Sequence, residues 1–184
     1  ITVTRTSGVN ALLSGVFLGA GGQPPTATAP QGDWVGAYGG DGYVLASWTG
    51  SGDYLDLPRA SLTTSGANPY TWASSTTDTR ALQSPDQTTR RASSWYSDNS
   101  FLLKLKFNAA YSGLLHLYGV DWDHKGRAET VQVTTPTSSQ TQPLTSFADG
   151  GWLAFPVTAN PGDTVTITVT RTSGVNALLS GVFL

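Results

Sequence analysis

The chain has 184 residues and no cysteine, so it is long enough for one well-filled domain and contains no disulfide, thiolate metal site or cysteine nucleophile. Only 12% of the residues are charged and the formal net charge is −2, which leaves no basic stripe of the kind that binds nucleic acid. No apolar run approaches the roughly 20 residues that cross a bilayer, so we expect no membrane insertion.

The first element along the chain is a segment that occurs twice. Residues 1–18 (ITVTRTSGVNALLSGVFL) recur letter for letter as residues 167–184. Diverged duplicates keep their core positions and change their surface ones, but here the polar Thr2 and Ser7 are retained together with Val3. The identity predicts tandem repetition of one module with a period of about 166 residues. A hairpin copied onto one end of a single module is the alternative.

A linker is predicted directly after the first copy. Residues 19–32 (GAGGQPPTATAPQG) have no charge and no apolar periodicity, and their prolines favour an extended, semi-stiff spacer. The expected domain organisation is therefore residues 1–18 as the C-terminal hairpin of a preceding repeat, residues 19–32 as the linker, and residues 33–184 as a β-sandwich module that ends in the second copy of the hairpin.

Alternation of apolar and polar residues dominates the remaining chain and indicates strands. The clearest case is the segment 164–171, in which Val165, Ile167 and Val169 share one face and threonines occupy the other. Strands are predicted, in chain order, at 34–38, 43–48, 54–57, 70–73, 92–96, 101–107, 114–122, 129–134, 144–147, 152–157, 164–171 and 176–183. The fold class predicted is all-β, a two-sheet antiparallel β-sandwich of jelly-roll type repeated in tandem, with immunoglobulin-like wiring as the alternative.

Three aromatic residues near the middle of the chain are candidates for a carbohydrate platform. Trp72, Trp95 and Tyr96 lie beside stretches rich in Ser, Thr and Asp, and exposed aromatic rings stack against sugar faces. Burial in the core is the alternative explanation for each of these rings.

The segment Asp121-Trp122-Asp123-His124-Lys125 most resembles a chemical site. Alternation places Asp121 and Asp123 on one face, where they would bind Ca²⁺ or act as paired carboxylates. The more ordinary interpretation is a polar strand end that enters a turn.

Nothing else in the sequence favours catalysis. His116 lies within an apolar strand and suits a core or cross-strand role, no nucleophile elbow is present, and Glu129 is the only glutamate, which excludes a glycosidase with two catalytic glutamates. We therefore predict no enzyme activity and no cofactor or metal.

Two adjacent arginines suggest either anion recognition or a structural network. Arg90 and Arg91 lie near Arg80 and Asp86, and a salt-bridge network within the surrounding loops is the more ordinary explanation.

Four strings resemble a module that large secreted bacterial proteins carry as an accessory or tandem β-sandwich unit. They are residues 33–43 (DWVGAYGGDGY), 91–96 (RASSWY), 111–118 (YSGLLHLY) and 176–183 (NALLSGVF). The resemblance spans residues 33–184 and implies an extracellular, non-enzymatic module. It transfers no ligand-binding residue.

The sequence as a whole predicts a structural repeat unit of an extracellular or cell-surface filament, stalk or adhesin, whose partners are identical neighbouring repeats. A carbohydrate-binding module of a secreted protein, with polysaccharide as its partner, is the alternative function. The predicted inter-repeat junction is formed by Ile1, Val3, Leu12, Leu13 and Phe17 of the first copy and Ile167, Val169, Leu178, Leu179 and Phe183 of the second.

The copies compete for one place in the predicted sandwich. Because the turn Asn160-Pro161-Gly162-Asp163 returns the chain to the same sheet, we expect the second copy to complete its own module. The alternative is that the first copy completes the sandwich and the second is donated to the next module by strand complementation.

Overall fold

A computed structural model describes residues 31–49 and 52–184 of the chain. These described residues contain β-strands, turns and bends but no helix, and thus none that is long and apolar enough to span a bilayer. The strands are β1 (Tyr43–Leu45), β2 (Tyr54–Asp56), β3 (Ala60–Ser65), β4 (Asn68–Ala73), β5 (Leu82–Gln83), β6 (Arg90–Ser97), β7 (Ser100–Phe107), β8 (Tyr111–Gly119), β9 (Ala128–Thr134), β10 (Ser139–Thr145), β11 (Gly151–Ala159), β12 (Thr164–Ser173), β13 (Ala177–Leu179) and β14 (Gly181–Phe183).

Sheet I has the strand order β10-β9-β12-β7-β3, with antiparallel pairing throughout. The alternation predicted for 101–107 is observed in β7, where Phe101 and Leu103 are buried while Lys104 and Lys106 face solvent. This is the pattern expected of an antiparallel sheet with one face on the core.

Two further sheets lie across the core from sheet I. Sheet II has the order β11-β8-β14-β1-β2, and sheet III has the order β13-β6-β4, with β5 also pairing with β6. Because only Ser180 separates β13 from β14, the same short segment belongs to both sheets. One hydrophobic core joins the sheets, with Leu105 from sheet I, Leu117 from sheet II and Trp95 from sheet III among its members. The all-β antiparallel sandwich is therefore confirmed, and the jelly-roll wiring stays a prediction.

A second, aromatic-rich cluster fastens the start of the described chain to sheet II. The Trp34 ring lies 5.1 Å from that of Phe183 and 4.5 Å from that of Tyr43, and Trp152 lies 5.1 Å from Phe183 between ring centroids. The indole Nε1 of Trp152 donates to the carbonyl of Gln31 at 2.8 Å. The chain leading into β1 is thereby held next to β14.

The strand predicted at 34–38 is wrong, because this segment forms a tight turn. The amide groups of Ala37 and Tyr38 both donate to the carbonyl of Trp34, at 3.0 and 2.9 Å, and Gly36 has φ +82°. A glycine with positive φ, next to hydrogen bonds between residues only three or four positions apart, is incompatible with an extended strand. Trp34, Val35 and Tyr38 pack in the aromatic cluster instead.

Two other differences concern sheet edges. The strand predicted at 144–147 is β10, which begins earlier, at Ser139, and ends at Thr145; its Pro143 is tolerated because β10 is an edge strand. β3 was not predicted, since its sequence ASLTTS is poor in apolar residues, and it is the opposite edge of sheet I.

Candidate functional site

A concave pocket of about 240 Å³ lies on the surface of sheet III. Its aromatic part comes from β4 and β6, in which residues two positions apart share a face, so Tyr70 and Trp72 project together with Tyr96. The complete lining, called the β4–β6 pocket below, is Tyr70, Trp72, Ser94, Tyr96, Asp123, Arg127 and Asn176.

The three rings of the β4–β6 pocket form an open corner. The Tyr70 ring meets the Trp72 ring edge-on at 5.1 Å and the Tyr96 ring edge-on at 6.0 Å, with interplanar angles of 75° and 86°. Tyr70 is 48% exposed, and Trp72 and Tyr96 are partly buried against the core. Roughly perpendicular rings present faces in more than one direction, which suits a ligand with flat apolar patches.

Arg127 forms the polar wall of the pocket. Its guanidinium pairs with both Asp121 and Asp123, its Nε donates to Asn176 Oδ1 at 2.7 Å, and it lies 5.7 Å from the centre of the Trp72 ring. Arg127 is itself buried, so these partners fix its side chain rather than leaving it free in solvent. The Asn176 amide nitrogen remains as a donor that the contact with Arg127 does not use.

Asp121 shapes the loop that carries this wall. Its carboxylate accepts hydrogen bonds from the backbone amides of Lys125, Gly126 and Arg127 at 3.1, 2.9 and 3.2 Å. Burial alone raises the pKa of Asp121, but the hydrogen bonds from the Arg127 side chain and from the amides of Lys125 and Arg127 outweigh it, and the pKa is lowered. Asp121 therefore remains ionised and acts as a structural anchor.

Asp123 has the same electrostatic setting, which argues against a catalytic pair. The Arg127 guanidinium overcomes the effect of burial and lowers the pKa of Asp123 as well. General acid–base pairs need one carboxyl with a raised pKa, whereas both of these are stabilised as anions by one arginine. No cluster of three or more potential metal-ligating side chains occurs in the described ranges, and the segment 121–125 is the polar strand end and turn that the sequence analysis gave as the ordinary interpretation.

Ser94 supplies an unused polar group in the pocket. The side chain is fully buried at the base of the lining, and its Oγ has no hydrogen-bond partner among the described residues. A buried hydroxyl without a partner is destabilising, and because no part of Ser94 is exposed, a ligand in the pocket does not contact this hydroxyl without a rearrangement of the lining.

The structure brings together two of the three predicted platform residues. Trp72 and Tyr96 line the pocket, but Trp95 is only 3% exposed and its Nε1 donates to Asp53 Oδ1 at 3.0 Å. Trp95 points to the opposite face of β6, into the core, and cannot stack on a ligand. Strict alternation along 94–96 separates Trp95 from Tyr96 and was the signal that would have excluded it.

Sequence reasoning missed the other residues of the pocket. Tyr70 shares a face with Trp72 and was within reach of the alternation argument, whereas Arg127 and Asn176 are distant in sequence and meet only through the pairing of β12 with β9. Nothing in their local sequence marks them as neighbours of Trp72.

The other residues singled out in the sequence analysis make contacts that stabilise the fold. The His116 ring lies 4.2 Å from that of Tyr38, and burial lowers its pKa. Arg90 pairs with Asp33, whereas Asp86 accepts hydrogen bonds from Ser84 and Thr88. Arg80 pairs with Asp78 and covers the Trp122 ring at 4.5 Å. The contacts of the arginines correspond to the salt-bridge network within the loops that the sequence analysis gave as the ordinary explanation, and not to an anion-binding site.

The predicted junction residues of the second copy lie in the centre of the fold. Ile167 and Val169 belong to β12, Leu178 and Leu179 to β13, and Phe183 to β14, and all five are fully buried. The junction residues of the first copy, which are Ile1, Val3, Leu12, Leu13 and Phe17, lie outside the described residues.

The sequence matches no protein-family model and no curated protein. Solved structures similar to this chain include carbohydrate-binding modules and an exo-β-1,3-galactanase from Phanerochaete chrysosporium. A family 35 carbohydrate binding module from Clostridium thermocellum is 11% identical, with a TM-score of 0.41, covering 66% of this chain and 89% of that one. TmCBM61 in complex with β-1,4-galactotriose is 10% identical, with a TM-score of 0.42, and the match covers 67% of this chain and 87% of that one. CBM6cm-2 from Cellvibrio mixtus lichenase 5A in complex with cellotriose is 12% identical, with a TM-score of 0.41, and the match covers 77% of this chain and 93% of that one.

Proposed function

We propose that the chain is an extracellular carbohydrate-binding module and that the β4–β6 pocket holds its saccharide ligand. The observation that supports this most is the coincidence of three ring faces, a fixed arginine and a partly exposed asparagine in one concave site. Sugars present apolar C–H faces to aromatic rings and hydroxyl groups to hydrogen-bonding side chains, so both halves of this lining are used.

The size of the pocket favours a short stretch of glycan. Its volume of about 240 Å³ lies below the roughly 300–1,000 Å³ typical of pockets for drug-sized ligands. The half-exposed Tyr70 stands at its rim, which leaves room for a chain to continue past the site. We infer that one sugar ring of a longer polysaccharide enters the pocket.

Charge favours a neutral sugar over a uronic acid. The only cation among the described lining residues is Arg127, and it is neutralised by Asp121 and Asp123. A carboxylated sugar would have to compete with two ionised aspartates for the same guanidinium. A neutral ligand needs only hydrogen bonds, for which the side-chain amide of Asn176 is suited.

Replacing Trp72 by alanine tests the pocket directly. We expect retention on insoluble neutral polysaccharides by the unaltered chain and a loss of roughly tenfold or more in affinity for Trp72→Ala, since losing a central contact ring costs about 1.4 kcal/mol or more. Affinity electrophoresis and titration calorimetry with cellotriose and β-1,4-galactotriose as probes measure the effect.

Tyr54→Ala is the matched control, because Tyr54 is a 39% exposed aromatic residue on β2 of sheet II, away from the pocket. Its variant should bind as the unaltered chain does. Equal losses for Trp72→Ala and Tyr54→Ala, or no saccharide binding at all, would contradict the proposal.

A second candidate function is the repeat unit of an extracellular filament, stalk or adhesin, and one observation favours it: the identity of residues 1–18 with residues 167–184. Tandem modules would place identical neighbours at each junction. Electron microscopy of the native material should then show filaments with an axial repeat near one module, whereas isolated particles would contradict this function. Repetition and saccharide binding are compatible, because residues 167–184, which supply Asn176 to the pocket, pair with strands of their own module.

A further inference from the structure

Glu129 connects sheet I to an edge of sheet III, the sheet on which the β4–β6 pocket lies. It is fully buried in β9, and its Oε2 accepts a hydrogen bond from the backbone amide of Leu178 at 2.8 Å. Because β13 is an edge of sheet III, the Glu129 carboxyl takes the place of a neighbouring strand at this amide.

Leu178 links this carboxyl to two groups that line the pocket. It lies opposite Tyr96 in the pairing of β13 with β6, and Asn176 precedes it by two residues. Tyr96 supplies a ring to the pocket and Asn176 supplies a side-chain amide. The contact between Glu129 and Leu178 therefore helps to set where both groups are held.

On its other side, Glu129 lies two residues after Arg127, the polar wall of the pocket. Both side chains are buried, and the Arg127 guanidinium is already shared by Asp121, Asp123 and Asn176 Oδ1. Glu129 Oε1 has no hydrogen-bond partner among the described residues. An ionised Glu129 would therefore be a buried charge that competes for an arginine with existing partners.

The surroundings of Glu129 favour its neutral form. Burial is the main cause of the raised pKa of Glu129, against opposing effects of the Leu178 amide and Arg127, while Asp121 adds to the increase. Within the strands packed closest to it, β10 and β13 carry no titratable residue. The charged or titratable groups around it are Asp121, Asp123 and Arg127 from the loop before β9, Arg171 opposite it on β12, whose guanidinium donates to the carbonyls of Gly174 and Val175, and Tyr96 behind Leu178.

We propose that Glu129 is a positioning residue of the β4–β6 pocket and that the pocket binds its saccharide only while this carboxyl is neutral. In the neutral form, the carboxyl holds the Leu178 amide and leaves Arg127 in contact with Asn176. When Glu129 is ionised, its carboxylate is repelled by Asp121 and competes with Asn176 Oδ1 for Arg127, so the polar wall of the pocket shifts. This inference rests on the proposed function of the pocket and adds its dependence on pH.

The first test needs no ligand. In a nuclear magnetic resonance pH titration of the isotope-labelled chain, the Asn176 side-chain amide and the Leu178 backbone amide should shift with a common midpoint near pH 8, because burial raises the pKa of Glu129 to about 8. Glu129→Gln keeps an oxygen that accepts from Leu178 but does not titrate, so this midpoint should be missing. An Asn176 signal that does not move between about pH 6 and about pH 9, or that moves equally in Glu129→Gln, would overturn the inference.

The second test is titration calorimetry with cellotriose and β-1,4-galactotriose. One pH unit above a pKa of about 8, only about a tenth of the folded chains hold the neutral carboxyl, so the apparent Kd should rise roughly tenfold between about pH 6 and about pH 9. Near-UV circular dichroism checks that the chain stays folded at both pH values. Glu129→Ala leaves the Leu178 amide without its acceptor and should weaken binding at every pH, whereas Glu129→Gln should restore binding without the tenfold rise in Kd.

A matched control separates positioning from stability. Trp95→Ala removes a core ring but keeps Glu129, so it should lower stability and still show the rise in Kd. If Glu129→Ala does not fold, the comparison of the unaltered chain with Glu129→Gln decides the question.

The outcomes also separate this inference from the proposed function. If neither saccharide binds at any pH while the Asn176 signal still titrates with Glu129, the proposed function is wrong and the positioning of Asn176 by Glu129 is supported. Saccharide binding with the same pH profile in the unaltered chain and in Glu129→Gln would overturn the inference alone.

Discussion

At the scale of single residues, neighbouring aromatic side chains have opposite roles. Trp95 fills the core and bonds to Asp53, whereas Tyr96, the next residue, lines the pocket. The sequence predicts that aromatic rings near 72 and 95–96 bear function, but it does not separate the core ring from the surface ring without the pairing of β6. Ser94 gives no sequence signal at all, because its unpaired hydroxyl is a property of its buried surroundings.

Trp95→Ala should destabilise the fold without acting on the ligand. Removing a fully packed Trp costs about 3–5 kcal/mol. Urea unfolding should show this loss, while the folded fraction keeps its saccharide affinity. A Trp95→Ala chain of normal stability that has lost binding would place this ring in the pocket instead.

Glu129 makes stability depend on pH. It is fully buried, its Oε2 accepts from the Leu178 amide at 2.8 Å, and its Oε1 has no partner among the described residues. Burial raises the pKa of Glu129 from 4.5 to about 8, against the opposing hydrogen bond from Leu178. The folded chain thus holds a proton that the unfolded chain releases between these pH values, so this contribution to stability is complete below pH 4.5 and is lost as pH rises through about 8.

Glu129→Gln removes this titration while keeping an oxygen that accepts from Leu178. The free energy of unfolding of the unaltered chain, relative to Glu129→Gln, should fall between about pH 5 and about pH 9. Denaturant titrations at both pH values measure the difference. A difference that is constant or rises with pH would show that Glu129 is ionised in the fold.

At the scale of elements, the alternation of side chains predicts most strands and misses those with other determinants. The strands β7, β9 and β12 are found where the alternation places them. The turn at residue 36 depends on a glycine with positive φ. The edge strand β3 forms because it pairs with the free edge of β7. Neither determinant produces a periodic pattern of apolar residues in the sequence.

The loop between β12 and β13 joins the duplicated segment to the pocket through Gly174. This glycine has φ +75°, and a Cβ there would lie 2.7 Å from Arg127 Cα. Gly174→Ala should therefore lower stability and also weaken saccharide binding by displacing Arg127.

Gly36→Ala is the control for backbone strain, since Gly36 has φ +82° and no atom within 4 Å of the added Cβ. It should cost only about 1–2 kcal/mol from the left-handed conformation and leave binding unchanged. Thermal unfolding and calorimetry compare the two variants, and equal behaviour would show that the contact with Arg127 has no part in binding.

At the scale of the whole molecule, two features stand out: residues 167–184 form central strands of the sandwich, and the β4–β6 pocket lies on the surface of sheet III. The duplication is evident from the sequence, and it is the reason that the sequence analysis predicts a structural repeat unit of a filament, stalk or adhesin as the main function. The pocket became evident only when β4, β6 and the loop at Arg127 were brought together, so saccharide binding, the alternative function of the sequence analysis, is now the better supported proposal.

The most direct test of saccharide binding is a nuclear magnetic resonance titration of the isotope-labelled chain with neutral oligosaccharides, including cellotriose and β-1,4-galactotriose. We predict saturable shifts centred on the Trp72 indole, Tyr96 and the Asn176 side-chain amide, with the Tyr54 region unchanged. Saturable shifts centred on another surface, or none with any neutral oligosaccharide, would contradict the proposed function.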